Sequence, residues 1–185
     1  MRSRDSENRI NLALDALGIS RQLIAQKQLP FHIEAQQLVI AEADENGKEY
    51  WLVSEAAEAW REMKQAARQD GVVVQIVSAF RSVERQIEIV QMKLARGMSV
   101  ETILSLNAPP GYSEHHTGCA IDLNTPGCPA TEEPFEDTDA FRWLTAHAGR
   151  FGFALSYPRG NPSGFMYEPW HWCFQPAISR GNREI

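Results

Sequence analysis

What most narrows the folds open to this chain is the order in which its hydrophobic period changes. Residues 38–41 and 50–53 read as two strands about Asn46-Gly47, a dipeptide that readily supplies the positive φ angles of a tight hairpin. Helical spacing takes over at Ala56, Ala59, Trp60, Met63 and Ala67, with Ser54 as cap and Gly71 as stop. Residues 72–80 are β-branched and apolar enough for a central strand. They run into Ser82, the expected cap of a helix that carries Ile87, Val90 and Leu94 and closes at Gly97. Pro109-Pro110-Gly111 breaks the chain before a short strand over residues 118–123; a Pro/Gly/acid-rich loop and a helix over about 138–148 follow. Two strands, within 153–157 and 166–174, end the pattern, and an amphipathic helix with Ile10, Ala13, Leu14 and Leu17, capped by Ser6 and stopped by Gly18, opens it. Hairpins and helices mix without a regular strand–helix–strand alternation, which predicts an α+β domain: a small, mostly antiparallel sheet with flanking helices.

A length of 185 residues suits one domain. A chain of this size buries about two-thirds of its unfolded surface, so it needs neither disulfide nor metal merely to fold, and a metal site requires a chemical explanation. No apolar run exceeds five residues even when glycine is counted, so no membrane span is expected. Eighteen basic against twenty-four acidic residues give a net charge of −6 without a basic stripe, which argues against a nucleic-acid partner. Residues 1–9 are charged and polar with no apolar segment behind them, unlike a secretory signal, so a cytoplasmic location is expected. Cys119, Cys128 and Cys173 are odd in number and form no C-x-x-C pair, which fits small half-buried hydrophobes better than a disulfide framework or a cysteine-rich zinc site.

Two segments hold three of the five histidines: residues 113–122 (SEHHTGCAID) and 167–172 (YEPWHW). In a strand, Gly118, Ala120 and Asp122 point one way and Cys119, Ile121 and Leu123 the other, leaving the aspartate on a face without bulk. Burying a carboxylate there is costly unless a cation or hydrogen bonds compensate. His115, in the preceding turn, is within reach of that side. In the second segment Trp170, Trp172 and Phe174 make an apolar face with His171 and Cys173 opposite. Pro169 places Glu168 before the regular strand, where its carboxylate reaches a water on a metal held by His171. Two histidines and one carboxylate with a fourth position open are the ligand set of a catalytic zinc, and an extra glutamate near the water supplies a base. His-x6-Asp and Glu-x-x-His are also common by chance, so spacing alone leaves an incidental arrangement open beside the metal site.

At these residues the sequence resembles the VanY-type D-alanyl-D-alanine carboxypeptidases and related L,D-carboxypeptidases, zinc peptidases of the Hedgehog/DD-peptidase fold. The family's S-x-H-x-x-G-x-A-x-D is matched by Ser113, His115, Gly118, Ala120 and Asp122, and its E-P-W-H by Glu168 to His171. Ser78-Ala79-Phe80-Arg81-Ser82 with Gln86 is similar to its S-x-[YF]-R-S-x-x-x-Q, and Trp143-Leu144, Ala148, Phe151-Gly152-Phe153 and Tyr157-Pro158 also match, so the likeness covers roughly residues 72–174. The resemblance implies one zinc per chain on His115, Asp122 and His171, Glu168 as general base, and Arg81 polarising the scissile carbonyl. It places Ser113, Gln86 and Trp170 along the substrate pocket. The implied reaction is D,D- or L,D-removal of a terminal D-amino acid from a cell-wall peptide or muropeptide. Residues 1–71 are then N-terminal helices and a hairpin packed as part of the same domain, and residues 72–185 the zinc carboxypeptidase core.

Two departures from the pattern matter. His116 stands where relatives often carry Gln, putting a second imidazole beside the implied ligand, and Ser156 stands where some L,D-cleaving relatives carry a basic residue that affects how the peptide is held. His147 and His32 read as structural, Trp51 and Trp60 as core, and the acidic clusters at residues 132–137 as a solvated loop that follows the Asp122 strand toward the site. The alternative to an enzyme is a non-catalytic zinc-containing peptide- or wall-binding module of the same fold. Mature wall lies outside the cytoplasm, so the expected substrates are soluble precursors or recycled wall peptides, or the wall itself reached by a lysin-type release. The sequence fixes no oligomeric state.

Overall fold

The computed structural model describes residues 2–175. The chain runs α1 (Arg2–Ala16), α2 (Arg21–Gln26), β1 (Val39–Ala43), β2 (Glu49–Leu52), α3 (Ser54–Gln69), β3 (Gln75–Ser78), α4 (Val83–Ala95), α5 (Val100–Leu106), β4 (Ala120–Asn124), α6 (Asp139–His147), β5 (Phe153–Leu155) and β6 (His171–Phe174). Short 3-10 turns lie at Glu114–Thr117, Glu133–Asp137 and Ala148–Phe151. β1 and β2 form a hairpin of their own, while β3, β4, β6 and β5 lie side by side in that order, each antiparallel to its neighbour. This is the expected α+β architecture. Residues 176–185 lie outside the described residues.

Several local expectations are corrected. Of Asn46-Gly47 only the glycine has a positive φ, 79°. Gly47 N–H donates to the Asp44 carbonyl at 2.9 Å and the Asp44 carboxylate accepts from the amides of Asn46 and Lys48, so the turn is a three-residue loop with one left-handed glycine. Ser54 is the first residue of α3, with Val53 in the cap position, and α1 runs through Ser6. Ser82 does cap α4, its hydroxyl accepting from Arg85 N–H at 3.1 Å. α2 and α5 were not expected; at six and seven residues they are too short to display a period, and each begins at a serine, Ser20 and Ser99, that caps it. The strands around residues 72–80 and 166–174 shrink to β3 and β6, because the chain pairs only where a neighbour lies alongside.

Two apolar clusters carry the molecule. The larger packs α3 and α6 with one face of the four-stranded sheet through Trp60, Met63, Leu144, Ile121, Leu123 and Trp172. The smaller gathers α1, α2, α4 and α5 around Leu14, Ile19, Val83, Val90 and Ile103. β4 is buried along its whole length. Its Ile121 and Leu123 enter the larger cluster, so alternation turns Ala120 and Asp122 to the other side, where Asp122 faces His115, His171 and Arg81. The N-terminal segment is bonded to the loop before β4: His32 N–H to the Gly111 carbonyl, Ala35 N–H to that of His116 and Val53 N–H to that of Gly118, at 2.8, 2.8 and 3.0 Å. Among the described residues no helix is long and apolar enough to cross a membrane.

Candidate metal centre

Strand register brings the two distant motifs together. Asp122 on β4 is the direct partner of Ser78 on β3 and of His171, the first residue of β6. The His171 ring nitrogen Nδ1 lies 3.0 Å from Asp122 Oδ1. His115 approaches from the 3-10 turn, its Nε2 3.2 Å from Asp122 Oδ2, and its ring meets that of His171 edge-on at 4.9 Å. One potential ligand atom from each of His115, Asp122 and His171 lies within 4.8 Å of the others, and all three residues are buried. That spacing suits a single divalent ion, which draws its ligands in at about 2.0–2.2 Å.

The ring nitrogens that face away from this point are both occupied. His115 Nδ1 donates to the Ala79 carbonyl at 2.7 Å, leaving Nε2 for a metal. His171 Nε2 lies 3.0 Å from Glu114 Oε2, leaving Nδ1. Outer partners of this kind fix ring orientation and tautomer in metal sites. Burial opposes ionisation of Asp122, yet His115 and His171 outweigh it and hold the carboxyl far below its ordinary range. Burial also works against the charged form of His171, but its hydrogen bonds to the Asp122 and Glu114 carboxylates raise its pKa overall, whereas burial dominates at His115 and lowers it. A dense carboxylate–imidazole cluster in a buried site is what a cation stabilises.

His116 is not a competing ligand. Its Nε2 accepts from Gly111 N–H at 3.1 Å and its Nδ1 donates to the Arg81 carbonyl at 2.7 Å, so both nitrogens serve the backbone; burial pushes its pKa down to about 4. The glycine after the turn also has a different reason from the one the sequence suggested. Gly118 is not a strand residue clearing room for a metal. It ends the turn in the left-handed region at φ 68°, and a Cβ there would meet Leu38 Cδ2 at 2.8 Å and the Val53 nitrogen at 3.2 Å.

Glu168 and Arg81 share a cleft of about 660 Å³ with His115, Asp122 and His171. Glu168 sits before β6, its Oε2 3.8 Å from His171 Nδ1. Burial pushes its pKa up to about 7 against the opposing pull of His171. Arg81, at the β3–α4 junction, donates to Gln86 Oε1 at 2.9 Å and to Ser78 Oγ at 3.3 Å, with Nη2 3.9 Å from Asp122. Gln86 is fully buried and donates onward to the Ala108 carbonyl at 2.7 Å, so it holds Arg81 and does not itself line the cleft, which corrects the expectation of a substrate contact. Ser113 and Trp170 do line it.

Sequence reasoning missed Glu114, Lys93 and Tyr157. Lys93 lines the cleft near Arg81 with its ammonium on the Asn107 side-chain oxygen, and among the described residues it forms no ion pair. Tyr157 lays its ring against His171 at 4.8 Å. Of the acidic loop, Glu132 and Glu133 line the cleft, and Arg159 binds Glu133 and Glu136 at 3.4 and 2.7 Å. Ser156 turns to Glu114, its hydroxyl donating at 2.6 Å, and does not line the cleft. The three cysteines are free thiols.

Comparison with known proteins returns one family across most of the chain: residues 49–177 match the VanY family, described as D-alanyl-D-alanine carboxypeptidase. A putative carboxypeptidase, YodJ, of Bacillus subtilis is 31% identical over 158 residues, 79% of this chain and 56% of that protein. A D-alanyl-D-alanine carboxypeptidase of Enterococcus faecalis is 34% identical over 119 residues, 59% of this chain and 42% of that one. The chain thus spans about half the length of the curated relatives it matches. Among solved structures, the LD-carboxypeptidase LdcB superposes with a TM-score of 0.69 at 30% identity over 78% of this chain and 71% of that one. A zinc-bound mutant of the vancomycin-resistance D,D-pentapeptidase VanY gives 0.61 at 30% identity over 80% and 87%.

Proposed function

The chain belongs to the VanY D-alanyl-D-alanine carboxypeptidase family, and from that premise we propose that it is a zinc-dependent carboxypeptidase removing the terminal D-amino acid from peptidoglycan-type peptides. The observation that carries this is the convergence of His115, Asp122 and His171 on one point, with Glu168 and Arg81 opening onto the same cleft. His115 Nε2, an Asp122 oxygen and His171 Nδ1 would hold the ion. Bound there, zinc would supply Lewis acidity toward the scissile carbonyl and the attacking water. Glu168, whose pKa burial pushes up to about 7, is poised to take the proton of the attacking water and return it to the leaving amine. The Arg81 guanidinium, held flat by Gln86 and Ser78, faces the negative charge that develops on the carbonyl oxygen.

The cleft is also polarised. Arg81 and Lys93 make one wall cationic, and Glu132 and Glu133 lie on its rim. Lys93, with a neutral amide as partner, receives the terminal carboxylate of the peptide, and Ser113 and Trp170 line the path to it. A non-catalytic metal-holding module of this fold has no use for a carboxyl at Glu168 and a held guanidinium at Arg81 on the same cleft as the three ligands. The test is mass spectrometry of synthetic muropeptides ending in D-Ala-D-Ala or in a single D-Ala, with and without chelator. Loss of one D-alanine from either, abolished by chelator and restored by zinc, supports the proposal; intact peptides in every condition refute it.

A further inference from the structure

His171 and His115 differ in what stands behind them. The remote nitrogen of His115 meets a neutral backbone carbonyl, whereas that of His171 meets a carboxylate, Glu114 Oε2, at 3.0 Å. The same oxygen accepts from Ser156 Oγ at 2.6 Å. Strand pairing builds this arrangement: Ser156 follows β5, and its N–H donates to the His171 carbonyl at 3.3 Å, so the β5–β6 register holds the hydroxyl beside the imidazole. Glu114 opens the 3-10 turn that presents His115. The imidazole of His171 is 4% exposed and the Glu114 side chain 23%, so neither bond is an exchangeable surface contact.

We infer that Ser156, Glu114 and His171 form a positioning relay: Ser156 holds the Glu114 carboxylate, and that carboxylate accepts the hydrogen bond of His171 Nε2–H, fixing the tautomer that turns Nδ1 toward Asp122 and the metal. This rests on the metal-site reading above. The relay has an electrostatic consequence. Asp122 is the one formally charged ligand of the three, so it cancels half the charge of a divalent ion. Glu114, acting through the imidazole, balances the rest. A backbone carbonyl in its place would orient the ring equally well without that balance, and His115 has such a partner already. Loss of an outer carboxylate of this kind weakens metal binding by about 10–100-fold.

The test measures zinc affinity of the full chain by competition with a chromophoric chelator. It also records the visible spectrum of the cobalt-substituted protein, which reads ligand geometry independently of turnover. Glu114→Gln is expected to weaken zinc by about 10–100-fold and to shift the cobalt bands. Ser156→Ala is expected to move both readings the same way by a smaller factor. In the double variant Ser156→Ala should add nothing to Glu114→Gln, because the hydroxyl acts only through the carboxylate. Zinc affinity within twofold of the parent for Glu114→Gln overturns the relay, as does a Ser156→Ala effect fully additive with it. Should Glu114→Gln fail to fold, Ser156→Ala alone decides: unchanged zinc affinity and cobalt spectrum overturn the relay, and weakened zinc with shifted cobalt bands upholds it. A parent protein that takes up no zinc overturns the metal reading and the relay together, whereas zinc uptake with unaffected variants overturns the relay alone.

Discussion

Gly118→Ala should cost far more than a glycine substitution in an exposed turn, and the excess can be worked from the structure. The backbone at Gly118 has φ 68°, where an L side chain costs about 1–2 kcal/mol. The new Cβ would also lie 2.8 Å from Leu38 Cδ2 and 3.2 Å from the Val53 nitrogen. Leu38 has a flexible tip that can turn aside. The Val53 nitrogen cannot retreat cheaply, because its N–H donates to the Gly118 carbonyl at 3.0 Å. Overpacking of this kind adds about 1–3 kcal/mol, for a total of about 2–5 kcal/mol. For a domain of this size that lowers Tm by roughly 5–15 °C. Gly97→Ala is the matched control: its φ is 82° with nothing within 4 Å of the added Cβ, so it incurs the backbone term alone. Thermal unfolding of the two variants beside the parent, followed by circular dichroism, gives the comparison. Equal losses for the two would refute the close approach of Leu38 and Val53 as the reason for glycine at 118. Since the His115 carbonyl accepts from both Gly118 N–H and Arg81 N–H, the damage should also reach the site as reduced zinc content.

Arg81→Lys keeps the charge but loses the planar fork that Gln86 and Ser78 hold; kcat on the best peptide should fall by roughly tenfold to a hundredfold, with KM changing less, and unchanged kinetics would remove Arg81 from the chemistry. Lys93→Met should raise KM for a peptide acid by about tenfold or more, on the order of one charged hydrogen bond, and narrow the preference for the acid over its C-terminal amide; an unaltered acid-to-amide ratio would take the carboxylate away from Lys93. His116→Ala should leave zinc content intact while costing about 2–4 kcal/mol in urea unfolding, because the Gly111 N–H and the Arg81 carbonyl lose their partner; loss of zinc with stability preserved would make it a ligand after all.

The sequence was most informative where a short strand carries chemistry. Alternation in β4 separates Ile121 and Leu123 from Asp122, and Pro169 keeps Glu168 out of β6, so the faces follow from period and punctuation. What alternation cannot supply is the neighbour. The pairing of Asp122 with His171 belongs to the β4–β6 register, which depends on contacts between segments far apart in the chain. Turn residues carry no period at all, and for that reason Glu114 passed unnoticed although it adjoins His115. Gln86 misled for a related reason: helical spacing puts it on the face of α4 toward Arg81, but only packing reveals that its amide is consumed by Arg81 and Ala108. At Gly118 the residue type was recognised and its cause was not, since the crowding comes from Leu38 and Val53 on the N-terminal hairpin.

The central claim is that a metal held by His115, Asp122 and His171 works with Glu168 as the base in hydrolysis. Glu168→Gln tests it most directly, with zinc per chain by elemental analysis and single-peptide kinetics measured on the same preparation. Zinc should stay at about one per chain, as a three-ligand site that excludes Glu168 requires. Turnover of the peptide ending in a D-amino acid should fall by about 10²–10⁴, the contribution of a positioned general base, with KM changing far less than kcat. Loss of zinc would make Glu168 a ligand, and retention of zinc with full turnover would mean that another group is the base; either result contradicts the account.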